Sequence, residues 1–320
     1  MHPPAFWQSG GLAAALLSPL GALYAAATAR RVARPGWDCG VKVICCGNAS
    51  AGGAGKTTLA LDLGARLAAT GRRVAFLTRG YGARVADPVR VDLARHTAAG
   101  VGDEALLLAA IAPTYVCPDR AAAARMAVSG GAQVLVMDDG LQNPTLAKTL
   151  SLLVIDGAAG FGNGRCIPAG PLREPPEAAA ARCRAAVLIG ADATHALTRL
   201  PATLPVLRAD LRPGPEVAAL AGRRAVAFAG IGRPEKFFTM LEQAGVILAA
   251  RRPFPDHHRF TGTEFAALLA EAARLEALLL TTPKDAARLT AEQRRAVTVA
   301  GVGLTWHDPA ALAALLAEAA

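Results

Sequence analysis

Lys56 and Thr57 close a run, Gly47-Asn48-Ala49-Ser50-Ala51-Gly52-Gly53-Ala54-Gly55-Lys56-Thr57-Thr58, in which small residues leave the backbone largely uncovered. A triphosphate needs N–H groups aimed inward, and glycine lets the chain turn towards it without Cβ clashes. Lys56 offers a point charge for the β- and γ-phosphates, and Thr57 a hydroxyl for Mg²⁺. The nucleotide-binding candidates are Asn48, Ser50, Gly52, Gly53, Ala54, Gly55, Lys56, Thr57 and Thr58. Ser50 stands where the strict phosphate-loop pattern asks for glycine.

The run Val134-Leu135-Val136-Met137-Asp138-Asp139 is apolar and ends in two carboxylates, the shape of an acid set beside the Mg²⁺ of such a site. Further polar islands interrupt apolar sequence at Thr78-Arg79-Gly80-Tyr81, at Gly102-Asp103-Glu104 and through residues 160–174. Asp103 and Glu104 also suit the first turn of a helix, where the dipole favours acids whatever their function. Downstream, Phe254-Pro255-Asp256-His257-His258-Arg259-Phe260 sets two histidines beside an acid. Lone histidines are more often structural than catalytic, but an Asp-His-His run is harder to dismiss.

The elements that must position these residues alternate. Candidate strands cover 41–46, 73–78, 114–117, 133–137, 152–155 and 186–189, with helical patterns over 56–69, 103–112 and 120–128. Short strands alternating with helices read as βαβ units in a mostly parallel sheet with helices on both faces. Right-handed crossovers then put the ligand at the carboxyl ends of the strands. A second set follows: strand 225–229, helix 234–244, strand 246–250, helix 263–274, strand 277–281 and a last helix from Pro309. The expected organisation is a segment 1–37, a nucleotide-binding domain 38–203, a proline-bearing linker 204–222 and a smaller α/β domain 223–320.

With 53% apolar and 18% charged residues, extended disorder is excluded. The net charge of +9 is compatible with an anionic lipid or phosphorylated substrate. No lysine-rich tail or aromatic-interleaved basic stretch argues for nucleic acid, and no obligate protein partner is evident. Six cysteines form no CxxC pair, which fits a reduced compartment. From His2 to Ala29 there is no charged residue, residues 11–28 are almost wholly apolar or small, and Arg30, Arg31 and Arg34 follow. A secretory signal carries its positive charge before the apolar run. The order here predicts a membrane-associated helix with the globular part on the cytoplasmic side.

Together these motifs resemble the tetraacyldisaccharide 4'-kinases of lipid A synthesis. The resemblance covers nearly the whole chain, in order: the N-terminal helix, the loop 47–57 with serine in its first glycine slot, Arg79-Gly80-Tyr81, Val101-Gly102-Asp103-Glu104, Asp138-Asp139-Gly140-Leu141-Gln142, Gly162-Asn163-Gly164-Arg165, the run 170–174, Asp256-His257-His258 and Lys284-Asp285. Two positions depart from the family pattern: Asn143 stands for a usual histidine and Pro283 for a usual glutamate. The resemblance implies ATP and Mg²⁺ as cofactors, a lipid A disaccharide precursor as substrate, and work at the cytoplasmic face of the bacterial inner membrane. It further implies that Asp103 takes the proton of the sugar 4'-hydroxyl with His257 supporting it, although Asp138 and Asp139 also have suitable chemistry. The metal set is then Thr57, Asp138, Asp139 and Glu174, and the substrate set Arg79, Glu104, Gln142, Arg165 and Arg173. A site split between two domains requires closure, which also expels water.

A MinD- or NifH-like ATPase switch shares the Gly-Gly-x-Gly-Lys-Thr-Thr run, but its signature lysine before the glycines is Ala51 here. A GTPase would need an Asn/Thr-Lys-x-Asp motif, and Lys284 and Asp285 are adjacent. A noncatalytic membrane scaffold would have no use for the intact Lys56-Thr57.

Overall fold

The computed structural model describes residues 4–83 and 85–319. Residues 1–3, the start of the segment expected over 1–37, lie outside the described residues, as do 84 and 320. In chain order the first strands are β1 (Lys42–Gly47), β2 (Val74–Thr78), β3 (Val89–Arg90), β4 (Thr114–Val116), β5 (Val134–Asp138) and β6 (Leu150–Asp156). There follow β7 (Ala185–Ile189), β8 (Val206–Pro213), β9 (Arg224–Ala229), β10 (Ile247–Pro253), β11 (Leu278–Thr281), β12 (Thr298–Val299) and β13 (Val302–Trp306).

Strands without a solvent face must be covered on both sides, and their residues are accordingly near-continuously apolar. In β1, Val43 and Cys45 join one core while Ile44 and Cys46 join the other. β1 lies between β5 and β6, parallel to both, in a nine-stranded sheet ordered β13-β8-β7-β6-β1-β5-β2-β4-β3. Only the edge strands β3 and β13 pair antiparallel. The helix Lys56–Ala69 covers one face through Leu59, Leu63 and Leu67, and Ala123, Ala124 and Ala127 of the helix Arg120–Ser129 help cover the other.

The second sheet, ordered β10-β9-β11-β12, is parallel throughout. Phe237, Phe238 and Leu241 of the helix Pro234–Gln243 pack on one face, and Phe265, Leu268 and Ala272 of the helix Gly262–Arg274 on the other.

Two expected boundaries are corrected. The presumed linker 204–222 supplies β8, paired parallel with β7, whose alternate residues Leu207 and Ala209 are buried. Residues 302–319 leave the C-terminal unit: β13 pairs with β8, and Leu312, Leu316 and Ala319 of the helix Pro309–Ala319 pack with Leu59 and Leu63. Trp306 Nε1 donates to Asp62 Oδ2 at 2.9 Å in the same layer. Both misreadings share a cause: strand pairing between residues far apart in sequence leaves no local mark.

The helix Leu12–Val32 is long and apolar enough to cross a membrane. It docks sparingly. A Cβ on Gly21 would lie 2.7 Å from the Cys166 carbonyl oxygen, so glycine is what permits the contact. Trp7 Nε1 donates to the Pro168 carbonyl at 3.0 Å, and Asn163 Nδ2 to that of Phe6 at 2.8 Å. Leu12, Leu16, Leu20 and Leu23 are exposed, with Leu12 at 77% and Leu16 at 72%.

Candidate active site

The glycine-rich loop leaves the end of β1 and enters the helix Lys56–Ala69 through Gly55, whose φ of 89° is left-handed. The backbone of 171–173 straps it from outside: Ala51 N donates to the Pro171 carbonyl and Arg173 N to the Ala49 carbonyl, each at 2.7 Å. Asn48 shapes the loop from beneath. Its side chain is fully buried and donates to Ser50 Oγ at 3.2 Å, while its carbonyl accepts from Gln142 Nε2 at 2.8 Å. Lys56 is buried, with Nζ 3.2 Å from the Gly52 carbonyl and 3.7 Å from Asp139 Oδ1. Burial lowers its pKa against the opposing pull of Asp139.

The two carboxylates after β5 behave differently. Asp138 is buried, its Oδ2 accepts from Thr57 Oγ1 at 2.9 Å, and its Oδ1 has no partner among the described residues. Burial, with the neighbouring Asp139 charge, pushes its pKa up to about 6. Burial would also raise Asp139, but Lys56 and Arg173 outweigh it and hold that carboxyl low. Arg173 Nη1 donates to Asp139 Oδ1 at 2.7 Å. An orphaned buried carboxylate oxygen costs free energy, and beside a hydroxyl it forms the kind of hard oxygen pair a small divalent cation takes.

Glu174 is buried too, but its carboxylate is already engaged. Oε1 accepts from Gln142 Nε2 at 2.7 Å, and Arg182 Nη2 reaches both oxygens at 2.7 Å.

The second half of the site joins the two sheets. A Cβ on Gly102 (φ 91°) would meet the Tyr81 carbonyl oxygen at 3.1 Å, so this glycine lets residues 80–81 lie against the start of the helix Asp103–Ala109. Asp103 Oδ1 accepts from the Glu104 N–H at 3.0 Å. Its Oδ2 faces the second domain, 3.2 Å from His257 Nδ1 and 2.8 Å from Arg288 Nε. Glu104 pairs with Lys284 across the same cleft at 2.7 Å. Burial would raise the Asp103 carboxyl, but hydrogen bonds with His257 and Glu104 and the charges of Lys284 and Arg288 hold it well below the usual range. Glu104 moves the opposite way, raised by burial and then by Asp103.

His257 adopts a left-handed φ of 59°, and its ring lies 5.2 Å from that of Tyr81. His258 points elsewhere: it stacks on Phe254 and sits 3.2 Å from Glu264, which caps the next helix. Arg79 is exposed at the end of β2. Arg165 bonds Ser18 of the N-terminal helix. Sequence reasoning missed Arg182, the partner of Glu174, and the trio Asp156, Arg233 and Lys236, in which Arg233 and Lys236 reach Asp156 Oδ2 at 2.6 and 2.8 Å. It also missed Arg288, three residues beyond the Lys284-Asp285 pair and bonded to that aspartate.

The family model described as tetraacyldisaccharide-1-P 4'-kinase matches residues 13–320. The chain belongs to this family. The chain is 58% identical over 318 residues to a tetraacyldisaccharide 4'-kinase of Gluconacetobacter diazotrophicus, covering 99% of this chain and 97% of the relative. It is 54% identical to one of Rhodospirillum centenum, covering 99% and 96%. A solved structure described as the "apo" form of LpxK from Aquifex aeolicus in complex with ATP superposes with a TM-score of 0.77 over 96% of this chain and 99% of that one. At 24% identity that likeness shows the fold alone. The resemblance and fold class expected from the sequence are thus borne out for this kinase, and the membrane ATPase switch is not favoured.

Proposed function

We propose that this kinase transfers the γ-phosphoryl group of ATP to the 4'-hydroxyl of a tetraacyl disaccharide 1-phosphate in lipid A biosynthesis, at the cytoplasmic face of the inner membrane. The observation that carries the reading is Asp103: a buried carboxylate at the junction of the two sheets, contacted by His257 from the second domain. Phosphoryl transfer leaves the protein little covalent work beyond positioning and charge neutralisation.

Lys56 and the loop N–H groups hold the β- and γ-phosphates, and the buried Asn48, with Ser50, keeps that loop in shape. Thr57 and Asp138 hold Mg²⁺, which fits the unpaired Asp138 oxygen; when bound it neutralises charge on the transferring group. Asp139 and Glu174 complete the acidic surround, tuned by Arg173, Gln142 and Arg182. Asp103 accepts the hydroxyl proton. His257 Nδ1 lies 3.2 Å from the Asp103 oxygen, with Lys284 Nζ 3.5 Å from Nε2 and Arg288 Nη2 3.5 Å from Nδ1 flanking the ring. Arg79 and Glu104 face the sugar phosphate and hydroxyls, and Arg165 steadies the N-terminal helix on which the lipid is presented.

The test is incubation of the full chain with Mg-ATP and tetraacyl disaccharide 1-phosphate in detergent. A product heavier by one phosphate on the distal sugar is expected. Its absence, with ATP still bound, would overturn the substrate assignment.

A further inference from the structure

Arg288 follows the short helix Pro283–Ala286 in the second domain, and its side chain is only 5% exposed. A buried guanidinium needs fixed acceptors, and nearly all its donors have one. Nη1 donates to the Gly230 carbonyl at 2.7 Å and to Asp285 Oδ1 at 2.9 Å, which anchors it in its own domain. Asp285 is itself fully buried and locked, accepting from Thr282 Oγ1 at 2.6 Å and from Gly230 N at 3.0 Å. The other edge of the fork crosses the cleft: Nε donates to Asp103 Oδ2 at 2.8 Å, and Nη2 contacts the same oxygen.

We propose that Arg288 is a positioning residue for phosphoryl transfer, anchored by Asp285 and holding the Asp103 carboxylate in one orientation and in its anionic form. The inference rests on reading Asp103 as the proton acceptor.

Three observations support it. Asp103 is buried, and a buried carboxylate without a cation protonates readily. His257 reaches the same oxygen through a single ring nitrogen, whereas Arg288 brings a permanent charge and two edges of its fork. The charged groups facing Asp103 are Arg288 and Lys284 from one side and Glu104 from the other, with His257 between; Lys284 is spent on Glu104 at 2.7 Å. Arg288, shared with Asp285 at its other edge, is therefore the cation in direct hydrogen-bonded contact with this carboxylate. Because its anchor lies in the second domain, the acceptor is set only when the domains are together.

The experiment measures kcat/KM against pH, thermal unfolding and ATP affinity for the full-length wild type, Arg288→Gln, Arg288→Met, Arg288→Lys and Asp103→Asn. The neutral replacements should move the acid limb of the profile upward by about one pH unit or more, since a cation at this range lowers a carboxyl by that much. Their kcat should fall about tenfold or more, with ATP affinity within about twofold of wild type, as expected when an interaction acts on the chemical step. Arg288→Lys should keep the limb near its wild-type position with intermediate kcat, because it retains the charge but loses the fork. Neutral variants that unfold cooperatively yet keep the wild-type limb overturn the proposal, whatever their kcat. So does loss of folding in both, which would make Arg288 a structural residue. Near-normal turnover of Asp103→Asn would instead overturn the reading of Asp103, a result the Arg288 variants cannot mimic.

Discussion

Thr57 Oγ1 donates to Asp138 Oδ2 at 2.9 Å, joining the start of the loop helix to the end of β5 across 81 residues of chain. The opposite oxygen of Asp138 is buried without a partner among the described residues. The pair is built to receive something, and its electrostatics can be tested without substrate.

Asp138 has a folded pKa raised from 3.8 to about 6, so the ligand-free native state holds a proton that the unfolded chain has released. Its stabilising contribution is complete below about pH 4 and lost as pH rises through about 6. The difference is worth roughly 2–3 kcal/mol. Thermal unfolding of the ligand-free protein should therefore show a falling Tm across this window, and Asp138→Asn should flatten it. Equal pH slopes for the two proteins would remove Asp138 as the source. In wild type, Mg-ATP should restore the Tm at neutral pH by binding the native state.

Lys56→Ala should abolish transfer while the protein still unfolds cooperatively. The lysine is nearly dehydrated and interacts with one carbonyl and one carboxylate, so its loss leaves Asp139 to Arg173 alone without opening the core. Turnover within about tenfold of wild type would remove Lys56 from the phosphate site, because a charge on the transferring group is worth far more.

Asp103→Asn and His257→Ala should each lower kcat by about 10²-fold or more, the usual scale of general-base loss. Their side chains meet at 3.2 Å, so the double variant should lose less than the product of the two. A product that is strictly multiplicative would mean the residues act independently.

The exposed leucines of the N-terminal helix give a membrane test that spares the fold. Removing residues 1–29 would also strip the bonds from Trp7 to Pro168 and from Asn163 to Phe6, confusing docking with anchoring. Substituting Leu12, Leu16, Leu20 and Leu23 by serine instead alters only the outward face. Each leucine transferred from water to hydrocarbon contributes about 1.5–3 kcal/mol, so the quadruple variant should leave vesicles in co-sedimentation while binding ATP normally. Full retention on vesicles would place the anchor elsewhere.

By itself the sequence determined every feature whose cause is local. The loop 47–58 announces itself because its glycines, lysine and threonine must be consecutive, and Asp138–Asp139 because a strand ends there. The parallel sheet is legible from the alternation of short apolar runs and helices, since each βαβ unit is contiguous. Motif order was enough to find the family. Tertiary structure alone decided which residues meet across distance. Residues 206–213 became a strand, 302–306 paired with it and the helix Pro309–Ala319 packed on the first sheet, because an unpaired strand edge and an apolar helix face must find partners wherever the chain supplies them. Of two adjacent histidines only His257 faces Asp103, because its left-handed backbone aims it into the cleft while Glu264 holds His258 outside. Arg288 lies 185 residues from Asp103. The Lys284-Asp285 pair marks its neighbourhood, but no local spacing says which distant carboxylate it reaches, and only folding two sheets against one another brings it to the buried Asp103.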